Sequence, residues 1–355
     1  MKDYYFYPWN PRNLRNTLCY QSNPYLNENQ FSYDTCDSYR APTGKLIVSV
    51  YEMNTDKPIK GAKVFIRKQV ETSQVIATIQ TNDIGLTSVI SLSAPPKEYA
   101  SDPTGPKPYS EYILTIEAPN YGVKVIRGVQ IYEGITSKQR VDMIPVNRTG
   151  ELHSIEIIDV PKHTLTKQYL ERQIHPSFIY PSALPSHAHN LNIPQYIIVH
   201  DGNPNDSAPR YKVEFREYIK NVAASELYPT WPKEALRANI ICITSFVLNR
   251  IYNAHYLERG FTISSTPSFD QSYHYGRNTF FEIDELVDGI FNQYITKPYS
   301  VEPMLIVYSS GIRNYPNERF CRWGSKYLAD QGIDYVSIIR AFYPLSEINF
   351  FIINK

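Results

Sequence analysis

The sequence predicts a multi-domain α+β protein with an N-terminal extended arm, an all-β sandwich, and a mixed α+β domain built around a buried central helix. Three observations support this fold class. Residues 1–43 are rich in Tyr, Asn and Pro and keep no lasting strand or helix period. Residues 44–146 contain short alternating segments between turn signals, which is typical of a β-sandwich. In residues 211–355 the apolar residues recur mainly with a helical period.

The composition excludes several classes of protein. Of the 355 residues, 42% are hydrophobic and 20% are charged, which provides enough apolar surface for a sizeable core. The 15 Gly and 26 Pro are scattered, so a collagen-like or low-complexity chain is excluded. Lys and Arg total 36 against 35 Asp and Glu, and no basic stripe is present, so nucleic acid is not an expected partner. No apolar run reaches the roughly 18 residues that a transmembrane helix needs, so no membrane span is predicted.

The arm is expected to pack against protein. It carries many aromatic side chains, among them Tyr4, Phe6, Trp9, Tyr20 and Tyr25. Because a solvated linker holds few aromatic residues, we expect the arm to lie on its own protein or on a neighbouring copy, which would allow self-association. The stretch MKDYYFYPWNPRNLRN lacks an apolar core, so no Sec-type signal peptide is predicted. Cys19 and Cys36 could pair within the arm, although nothing in the sequence requires a disulfide there.

The strands of residues 44–146 follow from alternation. GKLIVSVYEM alternates through Leu46, Val48 and Val50, and a second strand contains Val64 and Ile66. TNDIGLTSVISL adds a turn and a strand, and EYILTIEAPNYGVKVIRGVQIY adds two more. These stretches resemble the carboxypeptidase-regulatory-like (transthyretin-like) family. The resemblance implies an accessory β-sandwich without chemistry of its own.

Residues 147–210 read as a mixed β connecting segment, in which ELHSIEIIDV and IPQYIIVHDG flank a Pro-rich stretch. His187, His189 and His200 fall here, and three histidines could hold zinc. No Cys or carboxylate stands at a ligand spacing, which favours surface and turn histidines. The sequence therefore predicts no metal site and no cofactor.

The last part of the chain predicts helices around one buried helix. Phe215, Ile219 and Val222 lie on one helical face. A long helix is predicted between Pro232, where it would begin, and Gly260, where it would stop. Its apolar residues cover more than one face, so we expect it to be central and buried. FEIDELVDGIFNQYI is amphipathic, PMLIVYSSG reads as a strand, and two short helical stretches follow.

Residues 211–355 resemble the stage II sporulation protein D (SpoIID) family, whose members are peptidoglycan-cleaving lytic transglycosylases. The resemblance lies in EYIKNVAASELYPTWPKEALRANIICITSFVL, STPSFDQSYHYG, YSSG and RWGSKYLADQGIDYVSIIRAFYP. It implies that Glu226, which matches the Glu of the opening block, is the catalytic acid/base. One carboxyl suffices for this chemistry, because it protonates the glycosidic oxygen and then assists the sugar's own hydroxyl in closing an anhydro ring. A position at a helix end, among apolar side chains, would favour the protonated acid. From spacing alone, the sequence favours a solvated Glu at a helix end over a catalytic one, and only the resemblance makes the two comparable.

The same resemblance suggests residues that contact substrate. The candidates are Arg237, Gln271, Tyr273, Ser310 and Trp323. Arg237 could bind a peptide-stem carboxylate, and Trp323 could stack on a sugar. The residue types alone also fit a surface Arg and buried core side chains.

Two departures from the family pattern bear on activity. Thr244 replaces an Arg in the central helix. The family's His-Gly-x-Gly-Met-Ser-Gln-Tyr-Gly block is represented by residues 317–324, NERFCRWG, in which the His, both leading Gly and the Gln are gone. The sequence therefore fits both an active enzyme and a domain that has lost its activity.

Three functions compete. The first is a peptidoglycan-associated protein that binds, and perhaps cleaves, glycan strands of the cell wall or spore cortex. The second is a catalytically inactive structural subunit of a spore-surface, appendage or phage-tail-like assembly. The third is a carbohydrate-binding adhesin, since the chain holds 30 Tyr, although these also fit a general compositional bias. We expect a protein made in the cytoplasm, such as that of the mother cell, and associated with the spore or cell envelope.

Overall fold

A computed structural model describes residues 41–70, 74–146, 155–166, 193–309 and 319–350. The predicted arm lies almost wholly outside these residues, and so do Cys19 and Cys36. Residues from Ala41 onward group as one compact unit. Its strands in the described ranges are β1 (Thr43–Glu52), β2 (Lys63–Lys68), β3 (Ala77–Gln80), β4 (Ile90–Ser93), β5 (Ser110–Glu117), β6 (Val123–Ile131), β7 (Thr136–Met143), β8 (Ile155–Asp159), β9 (Tyr196–His200), β10 (Arg210–Glu214), β11 (Ile263–Ser264), β12 (Thr279–Phe280), β13 (Gln293–Thr296) and β14 (Glu347–Phe350). Its α-helices there are α1 (Phe215–Glu226), α2 (Lys233–Tyr252), α3 (Phe281–Ile290), α4 (Arg322–Asp330) and α5 (Tyr335–Phe342).

Two sheets form the predicted β-sandwich. One has the strand order β3-β2-β5-β6-β8 and the other β12-β7-β1-β4. Leu46, Val48 and Val50 of β1 are fully buried, and so are Val64 and Ile66 of β2. These side chains meet in one apolar cluster between the sheets, as their alternation predicted.

Strands from outside residues 44–146 complete both sheets. β8 pairs in parallel with β6 and extends the larger sheet. β12, which follows the α2 region in the chain, pairs antiparallel with β7 and extends the smaller sheet. Sequence patterning did not predict either pairing, because both join segments far apart in the chain. The sandwich and the helical part are thereby linked through a shared sheet.

Helix α2 is the buried centre of the helical part. Fifteen of its residues are buried, including Ile240, Ile243 and Val247 of the predicted stripe. It begins directly after Pro232, as predicted. Its predicted end at Gly260 was wrong, since the helix stops at Tyr252 and Gly260 instead closes a short 3₁₀ turn in the left-handed conformation. Glycine suits that second position because it adopts positive φ without strain.

Two further expectations differ from the structure. The amphipathic stretch from residue 281 is helical only to Ile290, and its last residues form β13. PMLIVYSSG does not form a regular strand among its described residues, which pair only through isolated bridges at Pro303 and Tyr308. Pro303 has no backbone N–H to give to a ladder, which limits regular pairing there. β14, which pairs with β13, was not expected.

The order of the parts agrees with the predicted fold class. A β-rich region precedes a helical region, and the whole is a mixed α+β fold. Side chains also bridge the two regions: Trp231 Nε1 donates to the Ala100 oxygen at 2.9 Å, and Lys138 pairs with Asp284 at 2.6 Å. Within the described ranges, every helix is too short or too polar to cross a bilayer.

Candidate functional site

Glu226 is the last residue of α1 and is buried, with 3% of its surface exposed. The connecting segment fixes this helix end. Thr164 donates to the Ser225 oxygen from its N–H at 3.2 Å and its hydroxyl at 3.0 Å. His163 accepts the Leu165 N–H at Nδ1, so Nε2 carries the proton and donates to the Leu227 oxygen at 3.1 Å. The carbonyls on both sides of Glu226 are therefore satisfied inside the protein.

Burial lowers the pKa of His163 well below its usual range. The ring is neutral, which agrees with its role as acceptor at Nδ1 and donor at Nε2. Its backbone N–H also donates to the Tyr109 hydroxyl at 3.1 Å, on the sandwich side. His163 is thus a packed connector between the two regions and holds the backbone beside Glu226.

Both oxygens of the Glu226 carboxylate have protein partners. Oε1 accepts the Ser272 N–H at 2.9 Å, and Oε2 accepts from Nη2 of Arg322. In this ion pair the side chain of Glu226 is 4% exposed and that of Arg322 is 12% exposed. A charge-assisted bond from a guanidinium is among the stronger hydrogen bonds that a carboxylate oxygen can accept. The sequence led us to expect an acid at a helix end among apolar side chains, and the ion pair with Arg322 was not part of that expectation.

Arg322 is held in place from two sides. It is the first residue of α4, whose start is capped by Cys321 Sγ accepting the Gly324 N–H at 3.2 Å. The Tyr308 ring centroid lies 3.9 Å from Cζ of Arg322, a cation–π contact. Burial opposes the charge on the guanidinium, but the nearby Glu226 carboxylate outweighs it and the pKa of Arg322 is raised. Arg322 is therefore a permanent cation facing Glu226.

Gln271 and Tyr273 lie in the core next to α1. Gln271 is fully buried; its Oε1 accepts from the Tyr218 hydroxyl and its Nε2 donates to the Ile243 oxygen, both at 3.0 Å. Tyr273 is 6% exposed and stacks on Tyr218, with ring centroids 5.6 Å apart. Their neighbour Ser272 supplies the backbone donor to Glu226. The structure brings the three together, but the side chains of Gln271 and Tyr273 point into protein.

The other proposed substrate contacts are dispersed. Arg237 pairs with Glu234 one turn away, and its side chain is 35% exposed. Trp323 is 9% exposed and packs edge-on against Trp231, with ring centroids 4.9 Å apart. Ser310 lies outside the described residues. The substrate-binding roles of these residues stay predictions.

Three side chains next to Arg322 or Tyr308 have buried polar atoms. The Tyr308 hydroxyl, the Ser309 hydroxyl and Trp323 Nε1 have no hydrogen-bond partner among the residues that the structure describes. Ser309 is adjacent to Tyr308 in the chain, and Trp323 follows Arg322. Buried polar atoms usually find partners, so this group is a candidate to receive hydroxyl or carbonyl groups of a bound molecule.

Of the three histidines considered as possible zinc ligands, the structure describes only His200. His200 is buried, its Nε2 contacts the Asn203 oxygen at 3.0 Å, and its ring stacks on Phe261. His187 and His189 lie outside the described residues. Within the described ranges, no three His, Cys, Asp or Glu side chains are grouped as metal ligands would be.

The chain matches one protein-family model, that of the stage II sporulation protein, over residues 207–291. This part of the chain is therefore a SpoIID-like domain. The match includes Glu226, Gln271 and Tyr273, whereas Arg322 and Trp323 lie beyond its end. A SpoIID domain supports a general role in sporulation or at the cell wall, and an association with the cell envelope. No curated protein matches the chain significantly.

Several solved structures align with parts of the chain. The Bacillus anthracis TIE protein is 14% identical and aligns over 30% of this chain and 17% of its own, with a TM-score of 0.21. The minor pilin GBS52 of Streptococcus agalactiae is 16% identical over 35% of this chain and 49% of its own, with a TM-score of 0.22. The 5-hydroxyisourate hydrolase of Klebsiella pneumoniae is 16% identical over 29% of this chain and 92% of its own, with a TM-score of 0.19. The chain spans less than two thirds of the first two proteins, and TM-scores this low support no conclusion about this protein. The β-sandwich is established by its own strand pairing.

Sequence reasoning missed the partner of Glu226. Arg322 is 96 residues away from Glu226 in the chain. It lies in residues 317–324, the block that lacks several residues of the family pattern. In that block it stands directly before Trp323-Gly324, where the family pattern has Gln before Tyr-Gly. The replacement of a neutral amide by a cation was a signal that an acidic partner was close.

Proposed function

We propose that this protein works in the spore or cell envelope as a SpoIID-domain protein that does not cleave glycan strands. The observation that carries the proposal is the buried contact between Glu226 and Arg322. A general acid must bring a proton within hydrogen-bond reach of the glycosidic oxygen. A carboxylate that is 3% exposed, with both oxygens bonded to protein, is poorly placed for that step.

The architecture supports a structural role in the envelope. The sandwich and the SpoIID domain share a sheet through β12 and β7, and Trp231 and Lys138 add contacts between the two regions. A catalytic domain on a flexible tether would need none of these contacts. Two regions joined by a shared sheet suit a subunit of a spore-surface or appendage assembly. Ordered filaments or lattices of the purified protein in electron micrographs would support that form of the proposal.

The test is incubation of the purified wild-type protein with denuded peptidoglycan strands, beside Glu226→Gln and an active lytic transglycosylase. Anhydro-muropeptides are measured by mass spectrometry. We expect release only by the active enzyme. Release by wild type, but not by Glu226→Gln, would overturn the proposal and establish Glu226 as the catalytic acid/base.

A second candidate function is binding of peptidoglycan glycan strands without cleavage. The unpartnered polar atoms of Tyr308, Ser309 and Trp323 favour it, since sugar hydroxyls are suitable partners for them. Reaching these atoms requires the surrounding side chains to open, because the atoms are buried.

This candidate is tested by co-sedimentation of the protein with denuded strands. Trp323→Phe keeps an aromatic ring and removes only the Nε1 donor, so it should reduce retention if that atom contacts the strand. Tyr327→Phe, on the same helix but 48% exposed, is the matched control and should not change retention. Equal retention of all three proteins would count against a role of Trp323 in binding.

A further inference from the structure

Arg322 occupies a hydrogen-bonding position at the Glu226 carboxyl group, so any substrate of Glu226 would have to compete with it for that position. Its Nη2 donates to Oε2 of Glu226, and that is the oxygen that the Ser272 N–H leaves open. A glycosidic oxygen would have to approach a carboxyl oxygen at hydrogen-bond distance. With Ser272 on one oxygen and Arg322 on the other, each oxygen already has a protein partner, and a glycosidic oxygen would have to compete with Arg322 for Oε2.

Several features hold Arg322 in contact with Glu226. The guanidinium lies over the Tyr308 ring at 3.9 Å and is 12% exposed. Burial raises the pKa of Tyr308 well above its usual range, so the phenol is neutral and its ring face is a suitable surface for a cation. Helix α4, capped at its start by Cys321, fixes the backbone from which Arg322 extends. If Arg322 left this position, the buried Glu226 carboxylate would have no counter-ion, which is energetically costly.

A glutamine at the same position would change the site in a defined way. Its neutral amide removes the counter-ion and leaves the Ser272 N–H bond to Oε1 in place. General acid catalysis requires a carboxyl group that can present a proton to the glycosidic oxygen without a competing cation beside it. The shorter side chain also vacates space in front of Oε2.

We propose that Arg322 is a positioning residue that withholds Glu226 from glycan chemistry, and that Arg322→Gln gives this domain lytic transglycosylase activity. The inference rests on the proposed function, in which the wild-type protein is inert. In the reaction expected of Arg322→Gln, the Glu226 carboxyl gives its proton to the glycosidic oxygen as the bond from C1 to that oxygen breaks. The C6 hydroxyl of the same sugar then bonds to C1 and returns its proton to Glu226. The products are a shortened strand and an anhydro end, and no water is consumed.

The experiment measures anhydro-muropeptide release from denuded strands by wild type, Arg322→Gln and the double variant Arg322→Gln/Glu226→Gln. General acid–base catalysis typically contributes about 100-fold or more, so Arg322→Gln should release at least about 100 times the product of the double variant. A folded Arg322→Gln protein that releases no more than the double variant overturns the inference. Release by wild type overturns the proposed function instead, so the two failures are distinguishable.

Arg322→Gln removes one partner of a buried pair and could prevent folding, so a second measurement is needed. Arg322→Met also removes the charge but fills the space beside Tyr308 with an unbranched apolar side chain. A water-soluble carbodiimide with an amine nucleophile labels accessible carboxyl groups, and peptide mapping reports the labelling of Glu226. We expect Glu226 to be protected in wild type and to lose this protection in Arg322→Met. Equal protection in both folded proteins would also overturn the inference.

Discussion

The side-chain amide of Asn278 bonds both backbone groups of Gln130: its Oδ1 accepts the Gln130 N–H and its Nδ2 donates to the Gln130 oxygen, each at 3.0 Å. Asn278 directly precedes β12, which pairs with β7 of the sandwich. Both residues are buried, at 1% and 0% exposure. The amide therefore replaces a strand partner for β6 and ties the SpoIID domain to the sandwich.

Asn278→Ala should destabilise the whole protein. The buried Gln130 N–H loses its partner, whereas the Gln130 oxygen keeps the bond that the Ser137 hydroxyl donates at 2.8 Å. An unsatisfied buried donor costs about 1–3 kcal/mol, and we expect a fall of about that size in the free energy of unfolding, measured by urea denaturation. Asn82→Ala is the control, because its Oδ1 accepts the N–H groups of Ile84 and Leu86 in an exposed turn. A loss no larger than that of the control would show that the interface does not depend on this amide.

Asp270→Asn should be far more damaging than Asp83→Asn. Asp270 is fully buried, pairs with Arg250 at 2.8 Å, and accepts the Ser264 N–H at 2.9 Å. Breaking a buried pair typically costs about 3–5 kcal/mol, because the remaining charge has no partner. Asp83 pairs with Lys60 at a site where both side chains are more than two thirds exposed, and such pairs contribute about 0–1 kcal/mol. Thermal denaturation of both variants measures the contrast, and similar melting temperatures would contradict it.

Glycine substitutions should act in opposite directions at two positions. Gly128 has φ +86°, and a Cβ there would lie 2.4 Å from the Val160 oxygen. Gly128→Ala should therefore cost about 1–3 kcal/mol for the backbone conformation alone, with the contact adding to this. Gly289 lies in α3 with open space around it, so Gly289→Ala should stabilise the protein by about 0.5–1 kcal/mol. Chemical denaturation of the two variants checks both signs, and stabilisation by Gly128→Ala would contradict the close approach of the connecting segment.

Stability should fall on acidification because of buried neutral histidines. Burial lowers the pKa of His274 from 6.5 to about 3. Since the unfolded chain takes up a proton near pH 6.5 and the folded protein does not, stability is lost as the pH falls from 6.5 toward 3. His274 contributes up to about 1.4 kcal/mol per pH unit in that window. His163 acts in the same direction, since burial also lowers its pKa.

Asp270 and Asp284 oppose this trend. Burial raises their pKa in the folded protein, so acidification through that pKa favours the folded state. The histidine contribution is therefore isolated by comparing wild type with His274→Gln across the same pH series. The variant should show the smaller loss of stability between pH 6.5 and 5. Parallel curves would mean that His274 is protonated in the folded protein.

Local patterns were sufficient for the elements whose signal lies within one turn or one strand. The alternation of Leu46, Val48 and Val50 predicted β1, and the stripe of Phe215, Ile219 and Val222 predicted α1. The end of α2 was misplaced, because a glycine signal eight residues further on marked a different turn. β8 and β12 were placed in the sandwich only by pairing with distant strands, which no local period encodes.

The sequence alone determined the α+β fold class, the sandwich strands, the buried central helix and the SpoIID resemblance. It also marked Glu226 as the acid to examine, because that choice depends on residue type within a recognisable block. Tertiary structure alone decided which groups contact that acid. Arg322 stands 96 residues away, and only the packing of α4 beside the end of α1 brings a cation onto the carboxylate. A side chain's chemistry follows from its neighbours in space, and those neighbours are set by packing between elements, which no local pattern records.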